Sequence, residues 1–208
     1  MRPLWLCADL ELGPLEALAA SLAQACAAGP VTVWVRHPER APEGRLVPWI
    51  EGLRGTLPRE TRWVIADRVD LARALSLDGV HLPRGSFGLD DARALVGPRV
   101  SLSTPFHADA PTPAEWPDAV LISPFRPVAG KGPALGSAGL AAMTARCPAT
   151  VSALALGGIE GPETARAACE AGADGVAVRR AWFASSDPAE TVRSLRRALD
   201  RLGPPGRR

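Results

Sequence analysis

The 208-residue chain has no tyrosine, and Lys131 is its only lysine among 24 basic residues. The first absence excludes tyrosine chemistry, and the second leaves arginine to supply nearly all of the positive charge. Acidic residues number 22, so the formal net charge of +2 provides no strongly basic surface of the kind that binds nucleic acid. We therefore expect no nucleic-acid partner.

Long apolar runs and closely spaced cysteines are also missing. No apolar run reaches the roughly 18 residues that cross a bilayer, and the apolar start of the chain is too short for a secretory signal. The four cysteines, Cys7, Cys26, Cys147 and Cys169, form no CxxC redox or zinc pattern. Each lies among small apolar residues, which favours buried thiols and leaves disulfides as the alternative. These absences predict a soluble cytoplasmic protein with no membrane partner.

Short apolar segments alternate with amphipathic ones along the whole chain. Strands are predicted at residues 3–9, 31–36, 62–67, 79–82, 100–104, 119–124, 150–156 and 175–179. Helices are predicted at 14–28, 46–57, 69–77, 89–96, 137–146 and 162–171, with at most a helical turn at 112–116 and a last helix from the Asp187 cap to Leu202. This rhythm predicts an α/β fold, a single (β/α)8 TIM barrel over residues 1–202 with a disordered tail at 203–208. A doubly wound open sheet is the alternative, although no GxGxxG motif follows the first strand.

In such a barrel, functional residues lie on the loops that follow the strands. The loops after strands seven and eight are the common phosphate site of the fold, and they carry Gly157-Gly158 and Arg179-Arg180. Paired glycines let backbone amides approach an anion without a Cβ in the way, and an arginine can clamp it with two hydrogen bonds. The alternative is a tight turn beside solvated arginines.

A Gly- and Pro-rich loop at 123–136 holds Lys131, which could meet a diphosphate as a mobile point charge or be an exposed solubilising residue. The three histidines differ in position. His81 lies within a strand and is expected to be a hydrogen-bonded barrel residue, whereas His37 lies in a loop and is expected to be exposed. His107 follows strand five and is the candidate for catalytic proton transfer near neutral pH.

The chain resembles the thiamine phosphate synthase/TenI family from strand two to strand eight. The resemblance is carried by DRVDLA followed by DGVHL within 63–82, by 100–104, by the loop 123–136, and by GGI and AGADGVAV within 156–178. It implies a single (β/α)8 domain acting in thiamine biosynthesis. The synthase branch joins a pyrimidine diphosphate to a thiazole phosphate and releases pyrophosphate, with Mg²⁺ held by carboxylates at the departing diphosphate. The TenI branch includes a metal-independent thiazole tautomerase.

The chain departs from the synthase pattern mainly at the diphosphate end. The motif Gln-x-Arg-Glu-Lys reads WVRHP at 34–38, so Arg36 is kept and the diphosphate-binding lysine is replaced by proline. The Asn-Asp pair after strand three leaves only Asp67 as a metal ligand, because the second metal carboxylate is replaced by Ser86. Mg²⁺ is therefore expected only if the synthase interpretation holds.

The resemblance places the substrate-binding residues at Arg36, Asp67, Ser103, Thr104 and Lys131, and phosphate-binding residues at Gly157 and Gly158. The position of the last loop in the fold adds Arg179 and Arg180 to the expected phosphate-binding residues. A Val-Ser pair of the family is replaced by the two arginines, its glycine after strand six by Ser123, and its tautomerase histidine by Pro105. These matches predict a TenI-like barrel that binds a thiazole phosphate or thiamine phosphate, as a weak transferase, a tautomerase or a binding protein. The alternatives are an active synthase, and a non-catalytic barrel that acts through protein contacts. A homo-oligomer is also expected to be possible.

Overall fold

A computed structural model describes residues 1–42 and 44–206. Eight parallel strands pair in chain order, and β8 pairs with β1, so the sheet closes into a barrel. The strands are β1 (Leu4–Asp9), β2 (Thr32–Arg36), β3 (Arg62–Ala66), β4 (Gly79–His81), β5 (Ser101–Phe106), β6 (Ala119–Ile122), β7 (Ser152–Leu156) and β8 (Gly175–Val178). The predicted TIM barrel is confirmed, and the open-sheet alternative is excluded.

Helices cover the outside of this barrel. Within the described ranges they are α1 (Leu15–Cys26), α2 (Leu46–Thr56), α3 (Val69–Ala74), α4 (Leu89–Val96), α5 (Gly136–Ala145), α6 (Pro162–Glu170) and α7 (Pro188–Asp200), with a 3-10 turn at Pro38–Arg40. None of the described helices combines the length and the apolar character needed to cross a bilayer. Residues 203–206 of the predicted tail carry no helix or strand, and residues 207 and 208 lie outside the described residues.

The segment between β5 and β6 differs from its prediction. β5 continues two residues beyond the predicted end to Phe106, whose ring is buried against Trp116 and beneath the Arg146 guanidinium. The helical turn expected at 112–116 is absent, because three prolines between residues 111 and 117 remove backbone donors and interrupt helical geometry. The outer layer therefore has a loop where the other strands are followed by helices.

Alternation along the strands separates two apolar layers. Side chains that point outward pack beneath the helices, and those that point inward fill the barrel. Trp5 and Trp34 meet edge to face inside the barrel, with their ring centroids 6.4 Å apart. Their bulk closes the lower barrel, so space for a ligand remains only toward the carboxyl ends of the strands.

Candidate active site

A cavity of about 720 Å³ opens at the carboxyl ends of the strands. Its floor is largely apolar and includes Cys7, Trp34, Leu121 and Ala177. Burial raises the pKa of the Cys7 thiol well above its usual range, so this thiol stays protonated and acts as a small apolar side chain. All four cysteines are buried thiols, as the sequence favoured. The cavity thus combines an apolar base with a polar rim, which suits a planar ligand with a charged group.

The rim of the cavity is predominantly cationic. Five of its side chains are basic: Arg36, Arg84, Lys131, Arg179 and Arg180. Three are acidic: Glu39, Asp67 and Glu160. The excess of positive charge at the mouth favours an anionic ligand.

A fully buried carboxylate, Asp9, lies at the end of β1 beside this rim. One of its oxygens accepts hydrogen bonds from His37 Nδ1 at 2.7 Å and from the Glu11 backbone N–H at 3.1 Å. The other accepts from Arg36 Nη1 at 2.6 Å and from Arg179 Nε at 2.5 Å. The carboxylate therefore connects β1 to the ends of β2 and β8.

The barrel register explains this cluster. Asp9 pairs with Arg36 across β1 and β2, and Arg179 directly follows β8 on the other side of β1. Burial alone would raise the pKa of Asp9, but the hydrogen bonds from His37 and Glu11 and the charges of Arg36 and Arg179 outweigh it. The pKa consequently lies below its usual value, and the carboxylate is ionised at neutral pH.

Asp9 ends the first predicted strand, where functional residues are expected, but neither Asp9 nor His37 was predicted to have a role in the site. The expectation that His37 is exposed is wrong, because its side chain is only 26% exposed and lies against Asp9. Its backbone is left-handed, with φ 55°. This turn directs the ring back toward β1. The signal that could have revealed the pair is the adjacency of the first two strands, whose carboxyl ends are Asp9 and Arg36.

The residues present do not fit the Mg²⁺ site that the synthase resemblance implies. Asp67 receives a hydrogen bond from the Ser86 hydroxyl, at the place where a second carboxylate would be needed. Within residues 1–42 and 44–206, the only group of three potential metal ligands is Asp9, Glu11 and His37, not a group around Asp67. Both Asp9 oxygens are already engaged by cations and N–H donors. Asp67 is thus the one carboxylate left of the implied pair, which makes it a weak anchor for a dication that keeps several waters.

The paired glycines, Gly157 and Gly158, allow the loop after β6 to approach closely, in addition to leaving space for a ligand. Both have positive φ, 92° at Gly157 and 68° at Gly158. A Cβ on Gly157 would lie 3.0 Å from Pro124 Cα, and one on Gly158 would lie 2.4 Å from Arg126 Cβ. The loop after β6 is fixed there, since Phe125 and Arg126 donate backbone hydrogen bonds to the carbonyls of residues 156 and 157. The glycines thus position the loop that carries Lys131.

The cations predicted to bind phosphate occupy different environments. Lys131 and Arg180 are exposed and line the cavity. Arg179 also lines it, but its guanidinium is paired with Asp9 and lies 3.4 Å from Glu11. The two arginines therefore do not act as an equivalent pair, and Arg180 is the one whose charge is available to a ligand.

The remaining predicted residues divide between the cavity and the barrel wall. Arg36, Asp67 and His107 line the cavity. Ser103 is buried beneath it and hydrogen-bonded to His81, with Nδ1 and Oγ 3.1 Å apart. Thr104 shares the outward-facing parity of β5 with buried Leu102 and does not line the cavity.

His81 is the hydrogen-bonded barrel residue that the sequence predicted. Its ring lies edge to face with Trp34, with the centroids 4.7 Å apart. Burial, together with the smaller effect of the nearby Arg36 charge, lowers the pKa of His81 to about 3. The imidazole is therefore neutral throughout the physiological range.

We expect His81 to make the protein sensitive to acid. Its folded pKa lies below the value of 6.5 for an unperturbed imidazole, so the unfolded chain binds the proton first. Its contribution to stability is complete above pH 6.5 and is lost as the pH falls toward 3, at about 1.4 kcal/mol per pH unit. A His81→Asn variant, whose amide would lie near the position of the imidazole Nδ1, should lack this pH-dependent contribution to stability. Urea unfolding of both proteins between pH 6 and 4 checks it, and parallel pH profiles would contradict it.

Comparisons with known proteins agree with this architecture. The family model described as thiamine monophosphate synthase matches residues 4–182. Thiamine-phosphate synthase of Azorhizobium caulinodans is 32% identical over 203 residues, which cover 95% of this chain and 94% of the relative. Thiamine-phosphate synthase of Xanthobacter autotrophicus is 35% identical over 203 residues, with 94% of each chain covered.

Solved structures show the same fold at lower identity. Thiamine phosphate pyrophosphorylase from Pyrococcus furiosus superposes with a TM-score of 0.74 at 22% identity, covering 97% of this chain and 96% of its own. The 3-hexulose-6-phosphate synthase from Salmonella typhimurium gives a TM-score of 0.72 at 17% identity, covering 96% and 98%. From the family match over most of the barrel and the relatives above 30% identity, the chain belongs to the thiamine monophosphate synthase family.

Proposed function

We propose that this barrel binds a thiazole phosphate or thiamine phosphate without Mg²⁺, as a TenI-like member of its family. The observation that carries the proposal is the composition of the rim. Its exposed cations, Lys131 and Arg180, lie at the expected monophosphate end, whereas Asp67 is paired with the Ser86 hydroxyl at the expected diphosphate end. An anion with one phosphate is matched by Lys131 and Arg180, and the planar ring is matched by the apolar floor.

The three possible functions of this barrel predict different results in a binding titration. We expect thiazole phosphate to bind with the same affinity, within about twofold, in the presence and absence of Mg²⁺. We also expect Mg²⁺ to confer no binding of the pyrimidine diphosphate. Isothermal titration calorimetry with both ligands, with and without the metal, checks this. Metal-dependent diphosphate binding would instead assign an active synthase, and no binding of either ligand would favour a barrel that acts through protein contacts.

Lys131→Ala should weaken thiazole phosphate binding by about threefold to fivefold. The lysine is exposed, so its charge contributes at most about 1 kcal/mol to the interaction with an anion. Arg166→Ala is the matched control, because Arg166 is an exposed cation on α6 that does not line the cavity. It should change the affinity by less than about twofold. Equal effects of the two substitutions would assign Lys131 to the solvent.

A further inference from the structure

One histidine of the three is held by a buried carboxylate. His37 Nδ1 lies 2.7 Å from Asp9 Oδ1, and the Asp9 side chain has no solvent exposure. An ionised carboxylate only accepts hydrogen bonds, so Nδ1 must carry the proton that lies between them. In the neutral ring, this arrangement fixes the tautomer and places the lone pair on Nε2.

The second ring nitrogen is available to a ligand. His37 lines the cavity with its side chain 26% exposed. Nε2 forms no hydrogen bond with any described residue and is not among the buried unpaired atoms. The ring therefore presents a fixed, reachable proton acceptor at the rim.

Neither other histidine has this arrangement. His81 is buried and its Nδ1 lies beside the Ser103 hydroxyl. His107 lines the cavity, but its ring forms no ion pair within the described part of the chain. His37 is thus the histidine for which the structure provides both orientation and access.

The charges around the ring suit a proton that is taken up and returned. Glu11 Oε2 lies 3.5 Å from His37 Nδ1, and Arg40 lies 3.5 Å from the same glutamate. Arg36 and Arg179 contact the far oxygen of Asp9 rather than the ring. A protonated ring would therefore face the carboxylates of Asp9 and Glu11 directly and the arginine charges only across these carboxylates, which stabilises the imidazolium while it exists.

We infer that His37, positioned by Asp9, is a general acid–base residue for proton transfer at a carbon of the bound phosphorylated heterocycle. The inference rests on the proposed function and names the group that would act in it. Nε2 removes a proton from the ring carbon, and the C–H electron pair remains on the heterocycle. The imidazolium then returns the proton to the same carbon or to a conjugated atom. The step needs no metal, oxidant or second substrate.

Proton exchange of thiazole phosphate in D₂O tests this inference. The C2–H bond lies between sulfur and nitrogen and is the most acidic ring position, so its loss from the ¹H NMR spectrum reports general-base catalysis. We expect the protein to accelerate exchange over the free ligand and His37→Asn to reduce the acceleration by about 100-fold or more. Asparagine tolerates the left-handed backbone at this position, so the loop should be preserved.

Three further measurements separate catalysis from binding and folding. His37→Asn should retain the thiazole phosphate affinity within about threefold, because the cations of the rim remain. In ¹⁵N NMR spectra the His37 ring should show an unprotonated Nε2, and Asp9→Asn should mix the two tautomers. Glu16→Gln, an exposed carboxylate paired with Arg45, is the control for loss of a negative charge and should not alter exchange.

The outcomes are distinct. Binding without accelerated exchange, or exchange that survives in His37→Asn, overturns the inference and leaves the proposed function standing. Loss of exchange in His107→Asn while His37→Asn retains it assigns the chemistry to His107 and also overturns it. Failure of thiazole phosphate to bind at all overturns the proposed function, and the inference with it.

Discussion

Asp9→Asn should lower the free energy of unfolding by about 3 kcal/mol, the loss typical when one member of a buried charge pair is removed. Each Asp9 oxygen accepts from donors on its own side, His37 and Glu11 on one and Arg36 and Arg179 on the other. An asparagine must turn its NH₂ group toward one of these sets. The substitution therefore removes the negative charge, and it also places the NH₂ group of the asparagine against other hydrogen-bond donors.

Urea unfolding followed by tryptophan fluorescence measures this loss. Glu16→Gln is the control, because Glu16 and Arg45 lie 2.6 Å apart with both side chains exposed, and it should cost far less stability than Asp9→Asn. The effect of Asp9→Asn should also depend on pH. The folded pKa of Asp9 is lowered, so its stabilisation is present above the unfolded value of 3.8 and is lost as the pH falls through the folded pKa. Equal losses for the two variants at neutral pH would show that the buried carboxylate contributes little.

Gly158→Ala should cost about 3 kcal/mol of stability and weaken ligand binding. The residue has φ 68°, a conformation that costs a residue with a Cβ about 1–2 kcal/mol. The new Cβ would also lie 2.4 Å from Arg126 Cβ, and overpacking of this kind costs about 1–3 kcal/mol. The loop after β6 must therefore move away from β7, and Lys131 moves with it.

Two variants separate the backbone cost from the steric clash. Gly130 has φ 75°, and a Cβ added there would meet no atom of the described residues within 4 Å beyond its own chain neighbours, so Gly130→Ala should cost only about 1 kcal/mol. In an Arg126→Gly background, which removes the opposing Cβ, the added cost of Gly158→Ala should fall toward the Gly130→Ala value. If Gly158→Ala costs no more than Gly130→Ala in the unaltered chain, the close approach of the loop is not under packing constraint.

The barrel could be predicted because each strand is a short apolar run between turn residues, and eight such runs in sequence favour closure. The same rhythm does not define the segment after β5, for which at most a helical turn was predicted. There the prolines near residues 111–117 act locally, and Phe106 extends β5 by packing against Trp116 outside the barrel. Tertiary packing therefore determined the end of that strand.

The sequence could predict those residues of the site whose position depends only on their own strand or loop. The ends of strands correctly directed attention to Arg36, Asp67, Lys131 and Arg180, all of which line the cavity. Thr104 and Ser103 were both predicted to bind substrate. Neighbouring residues of a strand point to opposite faces of the sheet, so a shift of one position moves a side chain from the barrel interior to the layer beneath the helices. The Asp9–His37 contact depends on the pairing of β1 with β2 and on the left-handed turn at residue 37, which residue type alone does not indicate.

The salt bridge between Arg179 and Asp9 joins residues separated by 170 positions in the chain. During synthesis, Asp9 and Arg36 emerge early and are only 27 positions apart, whereas the second arginine emerges when the barrel is nearly complete. Nascent chains lacking the last strand thus carry an incompletely neutralised carboxylate at an open seam. The final approach of β8 to β1 closes the hydrogen-bonded ring and completes this charge cluster in one event, so the rim of the cavity is assembled only when the last strand of the barrel is in place.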